Sequence, residues 1–402
     1  MTVLTQAPQG ARPFRPPARP PPPSALRLSA FAGHRGATVP LGPFTLITGA
    51  SGSGKSGALR AYDVLARLAS GAALADAVPD PRACVPEWAR PDRQGRRGFR
   101  IGCAVSGPAG RVRLDLAVQV EPELRIAGER LTLGDVVLME SALRDPGRRT
   151  VQAAWHTAGS APVTRAPLPD DRLATALLPL RVAGKTDGQR SVLAAAEQVV
   201  LALRSSYACD PQPARMRAPV PPGSGRLLRG CDNLADVLRR TRAECGKRHA
   251  QLVAAARMGC SGAVADVRVE GAADGTLRAV LDRGAAVGTP LARLGDGELR
   301  YLALSVVLLT GPGVLAVDQV SEVPSALQPL TVVADGFDRG LDRRPRAGLV
   351  RPGAGVGARG RNRLLGTVSE EAAGAGPFDG ATVVDLGRDR EGTERHEQQE
   401  RP

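Results

Sequence analysis

Apolar and polar side chains along this chain sort into stretches of two periods. Residues 25–31 and 37–41 read as a pair of short strands with Gly33 and Gly36 marking the turn between them. The unbroken run Phe44-Thr45-Leu46-Ile47-Thr48 predicts a buried strand. Residues 57–66 then place Leu59, Tyr62 and Ala66 on one face of a helix. Residues 99–105 and 112–120 alternate, or nearly so, around a glycine-bounded turn at 107–110, which is a hairpin pattern.

From about 171 to 258 the pattern becomes helical. Leu193, Ala196, Val200 and Leu203 fall at helix spacing, and Asp232 is placed to cap a helix carrying Leu234, Val237 and Leu238. Prolines between 211 and 222 break the region into two parts. Strand patterns return at 265–269 and 277–281. The turn Leu294-Gly295-Asp296-Gly297-Glu298-Leu299-Arg300 opens an apolar helix over 301–309, and Val314-Leu315-Ala316-Val317-Asp318 is an apolar strand closed by an acid.

The expected organisation follows from these stretches. Residues 1–24, crowded with proline, form a disordered tail. Residues 25–170 make an N-terminal lobe with an antiparallel β region, 171–260 a helical insertion, and 261–387 a C-terminal lobe. Residues 388–402, charged and Gln-rich, form a second disordered tail.

Between the strand at 44–48 and the helix that follows stands Gly49-Ala50-Ser51-Gly52-Ser53-Gly54-Lys55-Ser56, a phosphate-binding P-loop pattern. Glycines let the backbone curl so that its N–H groups converge on phosphate oxygens, and the helix start adds its positive dipole end. Lys55 supplies a full charge for the β- and γ-phosphates. The Ser56 hydroxyl is placed to ligate Mg2+. Strand, loop and helix come in the required order, so the chain is expected to bind a nucleotide. Gly184-Lys185-Thr186 looks like half of a second P-loop, but Pro179 stands where the first glycine belongs.

Composition narrows the picture. A chain of 402 residues, 43% hydrophobic, can bury a sizeable core. Its net charge of +14 comes almost wholly from arginine, the lysines being Lys55, Lys185 and Lys247. Arginine, alanine, glycine and proline share GC-rich codons, so coding bias explains part of the charge. A nucleic-acid partner is compatible with it, yet no basic cluster interleaved with aromatics marks a base-stacking surface. The cysteines form no C-x-x-C pair and read as buried thiols in a reducing compartment. The N-terminal residues lack the apolar core of a signal peptide, and the longest apolar run is too short to cross a bilayer. A cytoplasmic protein without a membrane partner is expected.

An apolar strand ending in an acid, downstream of a P-loop, is the usual place for the carboxylate that holds Mg2+ through water, and Asp318 fits it. With these motifs in order, the chain resembles the ABC-type ATP-binding heads of the SMC, RecF and OLD-like group, often labelled AAA family ATPases. The resemblance rests on the strands and P-loop at 26–56, the signature-like turn at 294–298 and the strand ending at Asp318. It also draws on Ser325-Ala326-Leu327-Gln328-Pro329, similar to a G-L-H-P stretch, and on Leu364-Leu365-Gly366-Thr367-Val368-Ser369, similar to a late strand ending in Thr-His-Ser.

It implies an α/β P-loop NTPase fold with an ABC-type head, a mixed β-sheet flanked by helices, ATP and Mg2+ as ligands, and a head-to-tail homodimer. In that dimer the Gly297 turn of one subunit completes the ATP site of the other. The departures from the family matter too. Gln319 stands where a glutamate polarises water, Gly295 replaces the signature serine, and Val368 replaces the histidine. These imply firm ATP binding with slow or absent hydrolysis, with Glu322 or Gln319 itself as the remaining groups able to act on water. A role in DNA maintenance or defence follows only from the analogy. A nucleotide-held scaffold and a small-molecule P-loop kinase, with Arg239-Arg240 as lid residues, stay open as alternatives. Trp88 and Trp155 are expected to be packing residues or loop anchors, and His34 and Arg35 to lie on an exposed turn.

Overall fold

The computed structural model describes residues 22–156, 163–204, 206–311, 313–316, 330–342, 349, 362–374, 378 and 380–387. The chain opens with β1 (Pro23–Phe31) and β2 (His34–Pro40), paired antiparallel. Leu26 and Leu28 are buried while Arg27 and Ser29 turn to the opposite face, the period-two sorting of a strand with one packed side. β3 (Phe44–Thr48) is buried along its whole length and leads through the P-loop into α1 (Lys55–Ala69) and the short α2 (Leu74–Ala77). Gly71, at φ +90°, follows the end of α1 and donates its N–H to Leu68, a left-handed helix stop that favours glycine.

A meander follows: β4 (Arg97–Gly107), β5 (Gly110–Glu121), β6 (Arg125–Leu133), β7 (Val136–Ala142), β8 (Thr150–His156) and β9 (Val163–Pro169). With the first hairpin it makes an eight-stranded antiparallel sheet of order β2-β1-β4-β5-β6-β7-β8-β9. The outer strand β9 carries Pro167 and Pro169, which have no N–H to offer another strand. After the short α3 (Ala174–Leu177), α4 (Asp187–Arg204) lies across the inner face of this sheet together with α1.

The second sheet is parallel and assembled from distant parts of the chain: β10 (Ser206–Cys209), later β14 (Leu330–Ala334), β15 (Asn362–Thr367) and, after α9 (Glu370–Gly374), β16 (Thr382–Asp385). Its order is β10-β14-β15-β3-β16. Between β10 and β14 come α5 (Pro213–Met216), α6 (Leu234–Glu244) and α7 (Gly246–Gly259). A three-stranded sheet of β11 (Asp266–Gly271), β12 (Leu277–Arg283) and β13 (Ala286–Pro290) follows, and then α8 (Asp296–Leu309).

Successive side chains of the parallel strands enter two separate cores. Ile47, Val333 and Leu365 join the core beneath the large sheet with α1 and α4, whereas Leu46, Val332 and Leu364 join the one formed with α6, α7 and α8. The parallel sheet is thus the middle layer of a mixed α/β fold. Both of its faces are dry, which is why β3 and β14 read as apolar runs rather than alternations.

The strands expected at 25–31, 44–48, 99–105, 112–120 and 277–281 fall inside observed strands, and the strand expected at 265–269 is offset by a residue. Residues 171–260 are divided between layers: α4 packs in the first core, β10 joins the parallel sheet, and α6 and α7 pack in the second core. Asp232 does not cap α6. The residue before that helix is Asn233, and its side chain turns back to bridge the Leu228 N–H (3.0 Å) and the Arg226 carbonyl (2.7 Å). Residues 1–21 and 388–402, the bulk of the expected tails, lie outside the described residues, and Pro23 and Ser24 already belong to β1.

Candidate functional site

The carboxyl ends of the parallel strands gather on one edge of the sheet, in registers Cys209↔Ala334↔Gly366 and Asp385↔Thr48. Loops leaving this edge are where ligands of open α/β sheets bind. The P-loop leaves β3 here. Gly49, Gly52 and Gly54 all have positive φ (138°, 81° and 99°), so the loop turns through conformations that favour glycine. At Gly54 the space is also closed: a Cβ would stand 2.6 Å from the His34 ring.

α1 begins at Lys55, directly after Gly54, so the unpaired amides of its first turn open onto the loop. Lys55 Nζ donates to the carbonyls of Gly49 (2.5 Å) and Ala50 (3.0 Å), which folds its charge over the loop. The Ser53 N–H donates to the Ala50 carbonyl at 3.0 Å. The Ser53 hydroxyl is buried and has no hydrogen-bond partner among the described residues. Ser51, Gly52 and Ser56 are exposed.

His34 corrects the sequence-based expectation. It is buried rather than on an exposed turn, and its Nε2 lies 3.0 Å from the Gly54 carbonyl oxygen. The hairpin tip thereby props the end of the P-loop. Ala32, next to it, fixes the tip by donating its N–H to the Cys84 carbonyl (2.8 Å).

Next to β3 stands β15, and beyond it β14. The Thr367 hydroxyl at the end of β15 donates to Asp335 Oδ1 (2.6 Å) and accepts the Gly336 N–H (2.7 Å). Ser369 caps α9 by accepting the Ala372 N–H, and its own hydroxyl donates to Asp338 (2.5 Å). Val368 donates its N–H to Ile47 (2.9 Å) and buries its side chain in the second core. At the position the resemblance gives to a histidine, this side chain therefore cannot meet a phosphate.

Asp318, Gln319 and Glu322 lie outside the described residues, as does the stretch 325–329. The described part of the run before Asp318 pairs with Leu227 through Leu315 rather than with a strand of the parallel sheet. Two acids stand at this edge of the sheet: Asp385 at the end of β16, directly beside β3, and, across β15 from β3, Asp335 just after β14. The sequence reading missed Asp335, although Leu330-Thr331-Val332-Val333-Ala334 ahead of it carries the same apolar-run-then-acid signal.

Gly297 sits in the first turn of α8, packed on the loop after β14: a Cβ on it would lie 2.1 Å from the Gly340 carbonyl oxygen. Glu298 holds this turn by accepting the N–H groups of Gly295 (3.0 Å) and Ser261 (2.7 Å) with its two oxygens. Gly295 is exposed.

A cleft of about 880 Å³ runs along the P-loop, bordered by Ser51 to Gly57, the hairpin tip, Arg60, Arg82 and Trp88. Two other hollows, of about 640 and 560 Å³, lie on the solvent face of the large sheet. The larger is lined by charges already paired with each other, Arg27 with Asp115 (2.6 Å) and Arg130 with Glu140 (3.3 Å).

The glycine cradle, the orphaned Ser53 hydroxyl and the lysine over the loop fit a bound polyphosphate. Among the described residues no cluster of three or more His, Cys, Asp or Glu side chains could hold a metal ion.

No protein-family model matches the chain, and no curated protein does. Similar solved structures include the SMC head domain from Thermotoga maritima, at 12% identity and a TM-score of 0.39 over 90% of this chain and 94% of that one. An SmcHead bound to the C-winged helix domain of ScpA matches at 11% identity and 0.42, over 88% and 90%. The Smc head domain with an extended coiled coil, bound to the C-terminal domain of ScpA derived from Pyrococcus furiosus, matches at 10% and 0.43, over 94% and 100%. At such scores these likenesses carry no weight for function, which rests on the chain's own geometry.

Proposed function

We propose that this protein binds Mg-ATP at the P-loop and hydrolyses it slowly or not at all, so that nucleotide acts mainly to hold a conformation or an association. The observation that carries this reading is the strand–loop–helix at 44–69, with Lys55 at the first position of α1 and glycines at every left-handed turn. Ser56, exposed beside the lysine, is the hydroxyl available to Mg2+.

For the second metal-facing group there are two assignments. Asp318 ends an apolar run in the sequence. Asp335 directly follows β14, in the layer of the P-loop strand and on the same edge. Topology favours Asp335. Either acid is followed by a residue that cannot take a proton from water, Gln319 in one case and Gly336 in the other. The nearest acid after Gly336 is Asp338, already bonded to Ser369. Both assignments therefore support weak hydrolysis, and the burial of Val368 supports it further.

A nucleotide-held scaffold is the same site without turnover, and the missing base favours it over a fast ATPase. The homodimer with Gly297 reaching a partner's nucleotide belongs to this reading as its regulatory consequence. Binding and turnover measured together on wild type, Asp335→Asn and Asp318→Asn test it. Wild type is expected to bind Mg-ATP with little turnover. Asp335→Asn is expected to lose the Mg2+ dependence of binding, and Asp318→Asn to keep it. Turnover at an ordinary enzymatic rate of about 10 per second would sink the proposal of slow hydrolysis.

A further inference from the structure

The P-loop cleft has two unlike walls. One is the loop itself, with amides and Lys55; the other is the segment 82–88, which ends on Trp88. That segment is held firmly. Cys84 and Val85 are buried, the Cys84 carbonyl accepts the Ala32 N–H, and the Pro86 carbonyl accepts Arg97 at 2.9 Å. Trp88 nevertheless stays 43% exposed, while Trp155 is buried in the first core at 4%. The Arg35 guanidinium lies 5.1 Å from the centre of the Trp88 ring, in range for a cation–π contact. A large flat side chain, braced from one side and exposed at the rim of a phosphate cleft, has the chemistry of a stacking surface. The cleft volume also falls in the range of small-molecule sites, roughly 300–1,000 Å³.

We propose that Trp88, backed by Arg35, is the stacking surface for the base of the nucleotide whose phosphates the P-loop holds; this rests on the nucleotide reading above. The order would be guanidinium, indole, base. Stacking depends on ring area more than on edge groups, because every base has a π-face. Purine nucleotides should therefore bind more tightly than pyrimidine nucleotides, and part of the selectivity should vanish with the indole. This gives Trp88 a role beyond the packing or loop anchoring expected from the sequence.

The test compares Mg-ATP with Mg-tripolyphosphate, which has the phosphates and no base, on wild type, Trp88→Ala and Trp88→Phe by calorimetry. Trp88→Ala should weaken ATP by about tenfold or more and leave tripolyphosphate within about twofold, with Trp88→Phe recovering most of the loss. In a Trp155→Phe background, Trp88 emission should change on adding ATP and not on adding tripolyphosphate. Unchanged ATP affinity in Trp88→Ala, or an equal loss for both ligands, would overturn the stacking role. Failure of wild type to bind either ligand, with no effect of Lys55→Ala, would instead bring down the P-loop reading and this inference with it.

Discussion

Several side chains of this protein take their properties from burial. Glu129, on β6, is 3% exposed, and its carboxylate accepts the Ala174 N–H (2.7 Å), the Thr175 N–H (2.7 Å) and the Thr175 hydroxyl, pinning the start of α3. Burial pushes its pKa up to about 7 against these donors, which favour the charged form. The folded state then binds a proton that the unfolded chain has released, between the ordinary carboxylate value and about 7. Stability contributed by this group is full at lower pH and falls as pH rises through that window, by on the order of 3 kcal/mol. Chemical denaturation at pH 5 and pH 8 should show the fall in wild type and lose most of it in Glu129→Gln; an equal slope in both would contradict the assignment. Arg125 and Asp170 form a different kind of buried site, 2.6 Å apart and at most 3% exposed. Arg125 also donates to the carbonyls of Pro146 and Arg148, so this charge is fully compensated where Glu129 is only solvated by dipoles. His34 shows how little of such burial is local. Followed by Arg35 and Gly36, it reads as exposed in sequence, yet the fold buries it and brings its Nε2 to the Gly54 carbonyl.

Among the elements, the P-loop and α1 were legible because phosphate chemistry and helix geometry dictate residue types over a short span. The strand ahead of Asp335 was not. Residues 314–318 and 330–335 carry the same pattern, an apolar run closed by aspartate, and nothing local separates them. What separates them is strand order, since β14 takes its place, two strands from β3, only through pairing with β15. The strands β6 to β9 were missed for a related reason: their register is set by neighbours across the sheet rather than by turn residues of a simple hairpin. The glycine turn at 294–298 was read correctly as the start of α8, yet its packing was not. Gly297→Ala would force a Cβ to 2.1 Å from the Gly340 backbone oxygen, so α8 or the loop after β14 must shift. A lowered melting temperature is expected for Gly297→Ala and little change for Gly311→Ala, where a Cβ meets nothing within 4 Å. Equal melting temperatures in the two variants would mean the close approach is not maintained in solution.

For the molecule as a whole, a parallel sheet between two cores puts the P-loop, Asp335, Thr367 and Ser369 on one edge, with the cleft and Trp88 at its mouth. Among the described residues no helix is long and apolar enough to cross a membrane. Arg125 pairs with Asp170 inside the fold, while Arg239 and Arg242 reach Asp236 and Asp266 from the surface; such pairs are neutral and leave the excess of +14 unchanged. If ATP joins two copies through the exposed α8 turn, the mass measured by light scattering should rise from one chain to two on adding Mg-ATP. A mass that stays at one chain in saturating Mg-ATP would remove the dimer and leave the binding site intact. The site itself is decided by calorimetric titration of Mg-ATP into wild type and Lys55→Ala. Saturable binding to wild type, weakened about 10- to 100-fold when the lysine charge is removed, is the expected result. Equal binding by both proteins, or none by wild type, would contradict a P-loop nucleotide site.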